Sequence, residues 1–406
     1  MLVHVWNGCA AADIYNFRKD FDTMNTAIET ILKEIEKKGS LHDSAIKEAS
    51  ARQEVLAKPT GALGTLEEIS IKLAGITGEV KNDVTRQAVV IMSADNGVVE
   101  EGVASAPQSV TLSQTINFTR HFTGVSALAQ YFGIDLLVCD MGVKMEIPDV
   151  FYTDKMEFVS GAEKTHGKFA GKIVNRSLGR GTANLAKGPA MSMEQCEKAF
   201  LTGIEAAKAV KAAGYQVFGV GEMGIGNTTT SACVLSALTG TSAETVVGRG
   251  GGLNDEGLSK KIHIVEEAVS KLKKASVFEI LAAVGGFDIC SMAGAFVGAA
   301  YYRLPVVIDG YISAVAALAA ARIAPNTVNF TFGSHQSTEP GYLIAMNELD
   351  IKPLFNLGMR LGEGSGCPIS FKIIEAATAA MNGMATFAEG SIDADYLDER
   401  KKGNFF

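Results

Sequence analysis

A chain of 406 residues, 47% of them hydrophobic, is long enough to bury a large core and to form one big domain with a smaller one beside it. Its formal net charge of -8 argues against a nucleic acid or an anionic membrane surface as partner, because an acidic field repels both. Small ligands fit this balance better.

Six cysteines, Cys9, Cys139, Cys196, Cys233, Cys290 and Cys367, lie scattered without CxxC spacing. Most sit in apolar segments, where a thiol behaves as a small hydrophobe. Neither a disulfide framework nor thiolate metal ligation is expected, which suits a reducing cytoplasm.

Residues 1–20, MLVHVWNGCAAADIYNFRKD, have a short apolar start but neither a basic leader nor a long apolar core, so they read as an extension of unknown role rather than a signal peptide. Residues 22–57 place Ile28, Ile31, Leu32 and Ile35 at helical spacing and predict a surface-packed helical segment. In KPTGALGTLEE, Pro59, Gly61 and Gly64 make a turn, and Thr65 with Glu68 reads as a capping box. The helix that follows carries Leu66, Ile69, Leu73 and Ile76 on one face.

From residue 88 the texture changes to apolar β-rich runs that end in Gly or Asp and are followed by helical patterns: AVVIMSADNG, IDLLVCDMGV, YQVFGVGEMG, PVVIDGYIS and TVNFTFGSHQ. Buried strands alternating with helices predict an α/β fold with a doubly wound, mostly parallel, Rossmann-like sheet over residues 88–363. The helical pattern after residue 363 joins residues 364–406 to 21–87 as a small helical domain. Ligands of such a sheet bind beyond the carboxyl ends of its strands, which puts Asp95, Asp140, Glu222, Asp309 and Ser334 on one rim. The apolar stretch 281–322 is interrupted by Asp288, Arg303, Pro305 and Asp309, so it lacks the ~20 residues of a bilayer span. It reads as core or as an interface between subunits.

Five glycine-rich segments carry the chemistry. GVGEMGIGNTTT passes from strand to helix with Gly224, Gly226 and Asn227 at the junction. Free amides at a helix N-terminus suit a phosphate, and the missing P-loop lysine favours a monophosphate over a nucleoside triphosphate. An ordinary strand-to-helix turn has the same look. VVGRGGGLNDEGLSKK brings Lys260 and Lys261 into a second such helix, as phosphate ligands or as solvated lysines. TFGSHQSTEPG offers Ser334 and Ser337 in a third turn, while ADNGVVEEGVASAPQSVT forms an apolar slot with one amide handle, Gln108, suited to a flat heteroaromatic ring. None of the six histidines, His335 included, has ligand spacing for a metal. In LGMRLGEGSGCP a single carboxylate, Glu363, stands between Gly362 and Gly364, presented as a catalytic base or as an exposed loop acid.

KPTGALGTLEE, ADNGVVEEGV with APQSVT, GRGTANLAKGPAM, GEMGIGNTTT, GRGGGLNDEGLSKK, GSHQSTEPG and LGMRLGEGSG follow one another in this order. Together they resemble the nicotinate-nucleotide:dimethylbenzimidazole phosphoribosyltransferase family of cobamide lower-ligand assembly. The resemblance implies transfer of ribose 5-phosphate from nicotinate mononucleotide to 5,6-dimethylbenzimidazole or a related base, by a cytoplasmic homodimer without a cofactor. It implies that Glu363 is the general base and that Glu222 lies near the ribose and phosphate. Gly224, Gly226, Asn227, Lys261 and Ser337 would contact nucleotide or phosphate, and Gln108 would belong to the acceptor-base pocket. Asn96 stands near that pocket where the family often has His.

The reaction agrees with these residues. A pyridinium departs with the bond electrons and needs no proton donor, so one base, taking the N–H proton of the attacking ring, is enough. No pyrophosphate leaves, so there is no leaving group for Mg²⁺ to neutralise. Two other readings share the glycine-rich turns: a Rossmann-type oxidoreductase, for which GVGEMGIGN lacks a convincing GxGxxG, and a non-catalytic nucleotide-binding module.

Overall fold

The computed structural model describes residues 25–162 and 167–393; the extension at 1–20 and the charged tail from residue 394 lie outside the described residues. Among the described residues the sheet has seven strands: β1 Gln87–Ala94, β2 Asp135–Gly142, β3 Tyr152–Thr153, β4 Ile173–Asn175, β5 Val217–Met223, β6 Val306–Ile308 and β7 Thr331–Gly333. All pair in parallel, in the order β3-β4-β2-β1-β5-β6-β7. The fold is therefore α/β and doubly wound, as the alternation of runs predicts. β1 is buried along its whole length, which is why its sequence is a continuous apolar run rather than an alternating one.

Two strands have no counterpart in the sequence reading. β3 and β4 are two and three residues long, too short to make a pattern. TVNFTFGSHQ is a strand only at Thr331–Gly333, because Pro325 opens a 3-10 turn that runs to Phe330. The segment 22–57 is two helices, Thr26–Lys38 and Asp43–Val55, parted near Gly39. There the Arg303 guanidinium takes the carbonyls of Lys38 (2.9 Å) and Ser40 (3.0 Å). The expected capping box is also displaced. Gly64, at φ 52°, caps the helix Thr65–Thr77, while Glu67 accepts the Leu63 amide at 2.9 Å and pairs with Lys58 at 2.8 Å.

The apolar stretch 281–322 is core. The helix Phe287–Tyr302 is buried from Phe287 through Ala300, and Tyr311–Ile323 is nearly as deep. Phe287–Tyr302 lies against the helix Met193–Ala212 with backbones touching, so that a Cβ at Gly294 would collide with the Phe200 carbonyl. The helices Asp43–Val55, Thr65–Thr77 and Cys367–Gly383 pack together, with Arg52 Nε donating to the Met381 carbonyl at 2.9 Å. Cys367–Gly383 also rests on the sheet, its Cys367 thiol against the Val307 and Val220 carbonyls. The described cysteines are buried free thiols, and among the described residues no helix is long and apolar enough to cross a membrane.

From β1 the chain first builds toward β2, then returns to place β5 on the opposite side. That reversal opens a crevice beyond the carboxyl ends of β1 and β5.

Candidate active site

A cleft of ≈ 440 Å³ occupies this crevice, lined by Val103–Ala106 and Gln114 after β1, Gly221–Thr228 after β5, Arg249–Leu253, Asp309–Ser313 after β6, His335 and Ser337 after β7, and Arg360–Glu363. Of the rim residues expected from sequence, Glu222 and Asp309 line it. Asp95, Asp140 and Ser334 do not: Asp95 accepts from Thr111 Oγ1 and the Lys144 amide, Asp140 from the Gly142 and Val143 amides, and Ser334 Oγ donates to the Asp309 carbonyl.

Glu363 has φ 65°, between Gly362 at 84° and Gly364 at 90°, three left-handed residues in a row. The turn lies directly on β5. A Cβ at Gly221 would collide with the Glu363 carbonyl, and one at Gly362 would meet Glu222 Oε1 at 2.5 Å, so neither position accepts a side chain. The Glu363 carboxylate is held from two sides. Oε2 accepts the Val125 amide at 3.1 Å and Oε1 accepts Gln114 Nε2 at 3.3 Å. Val125 lies in the first turn of the helix Gly124–Phe132, capped by a Thr123–Ser126 box, and a helix N-terminus favours an anion. Gln114 is oriented in turn by Asn117 Nδ2 on its own Oε1 at 3.2 Å. Burial raises the Glu363 pKa above the ordinary carboxylate value, and the amides of Val125 and Gly124 oppose that rise. The result is a desolvated carboxylate suited to take a proton.

At the other wall, Gly224 and Gly226 (φ 96°) lead into the helix Asn227–Thr239, as the sequence predicts. Thr228 Oγ1 accepts from Lys261 Nζ at 2.8 Å, and the Gly248 carbonyl accepts from it at 3.1 Å. Lys261 is buried, and burial pulls its pKa down to about 8, with Glu339 opposing. An arriving anion would favour its charged form. Lys260 is exposed and lies 3.7 Å from Glu101, so of the pair it is Lys261 that reaches the cradle. Ser337 lines the cleft. Asn227 lines it too, but its Nδ2 turns inward, donating to Glu222 and, at 3.1 Å, to Asp288.

Glu222, Asp288 and Asp309 form a carboxylate floor. Burial, reinforced by Asp288, raises Glu222 to about 8; burial raises Asp309 to about 7 and Asp288 to about 6. Burial lowers His335 to about 4, so it is neutral and does not balance these charges. Among the described residues no cluster of His, Cys, Asp and Glu is arranged to hold a metal ion.

Gln108 and Asn96 are not among the residues that line the cleft. Gln108 donates to the Asn96 carbonyl at 3.2 Å. Asn96 is fully buried behind the cradle, its side chain against Gly224 and Gly226. The amide that meets the cleft is Gln114, on the helix Ser109–Phe118. Sequence reasoning missed Gln114, which sits in an unremarked helix, the bond of Asp288 to Asn227 at 3.1 Å, and the helix N-terminus at Gly124. The last was open to detection, since Thr123 and Ser126 have capping-box spacing.

The sequence pattern of the family described as Phosphoribosyltransferase matches residues 39–392. A nicotinate-nucleotide–dimethylbenzimidazole phosphoribosyltransferase of Clostridium perfringens is 50% identical over 376 residues, covering 92% of this chain and 98% of that protein. Its namesake from Clostridium tetani is 42% identical over 364 residues, covering 89% and 95%. A crystal structure of the Thermus thermophilus protein of that name superposes with a TM-score of 0.78 at 36% identity, covering 87% of this chain and 99% of that one. By sequence along nearly its whole described length, and by fold, the chain belongs to this phosphoribosyltransferase family.

Proposed function

We propose that the chain transfers ribose 5-phosphate from nicotinate mononucleotide to 5,6-dimethylbenzimidazole or a related base, giving α-ribazole 5′-phosphate and nicotinate. The names of its relatives supply the substrates. The observation that carries the residue assignment is Glu363, whose carboxylate borders the cleft between a helix N-terminus and Gln114, in the same cleft as the Gly224–Thr228 cradle.

In this reading the nucleotide phosphate sits at Gly224, Gly226 and Thr228 with Lys261 and Ser337 beside it. The acceptor ring lies in the aliphatic wall of Val103, Ala104, Ala106 and Leu361, next to Gln114 rather than Gln108. One ring nitrogen attacks the anomeric carbon from the face opposite nicotinate, the bond to the pyridinium nitrogen breaks with its electrons retained by nicotinate, and the configuration inverts from β to α. The proton on the second ring nitrogen passes to Glu363, so no benzimidazolium accumulates. Glu222 faces the positive charge that develops on the ribose. A cation beside it would favour its ionised form.

We also propose the cytoplasm as its location, a homodimer as its working state, and a division into a helical unit (21–87 with 364–406) and a catalytic unit (88–363). Light scattering at about twice the 42.8 kDa chain mass would support the dimer. The direct test of the activity is incubation with nicotinate mononucleotide and 5,6-dimethylbenzimidazole. Equimolar nicotinate and α-ribazole 5′-phosphate are expected, and absence of both across a panel of benzimidazoles, purines and phenols would overturn the proposal.

A further inference from the structure

Asp309 follows β6 at the base of the cleft with both side-chain oxygens engaged. Oδ2 accepts the Gly364 amide at 3.0 Å, and Oδ1 accepts the Gly366 amide at 2.7 Å. Its main chain is equally fixed: its N–H donates to Ser313 Oγ at 2.9 Å, and its carbonyl accepts from Ser334 Oγ at 2.7 Å. Only 2% of the residue is exposed, which leaves almost nothing for a substrate to touch. The turn it grips is closed internally by the Ser365 amide on the Gly362 carbonyl at 3.0 Å, which leaves the amides of Gly364 and Gly366 to Asp309. Glu363 is an L residue in left-handed conformation, which is unfavourable without external restraint. Its own amide makes a longer bond, 3.3 Å, to Glu222 Oε1.

We infer that Asp309 is a positioning residue for the transfer reaction: by binding the amides of Gly364 and Gly366 it keeps Glu363 in its left-handed turn, with the carboxylate at Gln114 and Val125 where the acceptor arrives. The inference rests on the reading of Glu363 as the base. By this route its removal changes the rate of the chemical step and not the capture of the nucleotide.

The test is a double-mutant cycle on the full chain with nicotinate mononucleotide and 5,6-dimethylbenzimidazole. Near-normal turnover in Glu363→Gln would overturn the base assignment and this inference with it. Given a large loss there, Asp309→Asn is expected to lower kcat roughly 10- to 100-fold, with less than about a threefold change in KM for the nucleotide and less than about threefold further loss in the Glu363→Gln background. A kcat within about threefold of wild type, or losses that multiply in the double variant, would overturn the role of Asp309 while leaving that of Glu363 intact. Should Asp309→Asn fail to fold, Gly366→Ala displaces the same amide from Asp309 with the carboxylate in place. A Cβ there would collide with His335 Nδ1 and Ser334 Oγ and stand 3.0 Å from Asp309 Oδ1. It is expected to show the same kcat loss and the same non-additivity, and a multiplying loss would again overturn the inference.

Discussion

Two glycine-rich turns line the cleft, GEMGIGN after β5 and LGEGSG before the last helix, and they use glycine in opposite ways. In the first, Gly224 and Gly226 let the turn pack against the Ala94 carbonyl and Val99, where a Cβ would collide, and in the proposed function the helix N-terminus that follows receives the phosphate. In the second, the amides of Glu363, Gly364 and Gly366 point inward, to Glu222 and Asp309, and a side chain is what faces the cleft. Glycine composition alone does not say which. The direction of the amides does: where buried carboxylates take them, as Glu222 and Asp309 do beneath Glu363, the turn becomes a platform for a side chain.

The largest expected break in this contrast is at the platform. Glu363→Gln keeps the shape of the turn but cannot take a proton, and should lower kcat by about 10²–10⁴, while calorimetry still detects nicotinate mononucleotide binding. Unchanged steady-state rates would remove Glu363 from the chemistry. Gly364→Ala forces a Cβ at φ 90° to within 2.8 Å of Val89 Cγ1. It should cost roughly 10- to 100-fold in kcat by moving the turn without altering the carboxylate, and a kcat equal to wild type would show that the turn tolerates displacement.

At the cradle the effect should fall on binding. Lys261→Ala removes a charge-assisted contact and should raise KM for the nucleotide about tenfold; a change confined to the aromatic acceptor would contradict its place at the phosphate. Gln114→Leu should shift preference among acceptor bases by a few-fold, read as the ratio of products from two bases in competition. A preserved ratio would separate Gln114 from acceptor choice.

The smallest expected effect is on stability against pH. The Glu222 pKa is raised from 4.5 to about 8 in the folded chain. Below 4.5 both states hold the proton and the full stability is present. As pH rises through that window the unfolded chain releases its proton and the folded chain keeps it, so stability falls. Melting temperature of the free protein should therefore decline from pH 5 to pH 8, and a flat or rising curve would mean that the carboxylate floor is already ionised.

Much of this site is legible in the chain because glycine spacing and strand-end acids are local signals. Glu363, Gly224, Gly226, Asn227, Lys261 and Ser337 are each marked by the turn they sit in, and the fold brings Glu363 and the cradle residues to one cleft, with Lys261 just behind Thr228. Gln108 and Asn96 show the limit of such signals. They occupy the expected loop, but a 3-10 turn over Gly97–Glu101 directs the chain so that Asn96 is buried under the cradle and Gln114 emerges six residues beyond Gln108. Nothing local in SVTLSQTINF distinguishes Gln114 from any other polar helical position.

The order of residues along the chain is enough for the class of fold and the kind of turn: short apolar runs that end in Gly or Asp suit strands buried on both faces, and Gly-Glu-Gly suits a turn that presents a carboxylate. Which groups hold that carboxylate in place is settled by folding alone. Asp309, Glu222, Gln114 and Val125 come from four different elements and meet Glu363 across sequence separations that no local pattern encodes. Hydrogen bonds of this kind are chosen by the stacking of strand ends, after the elements have formed.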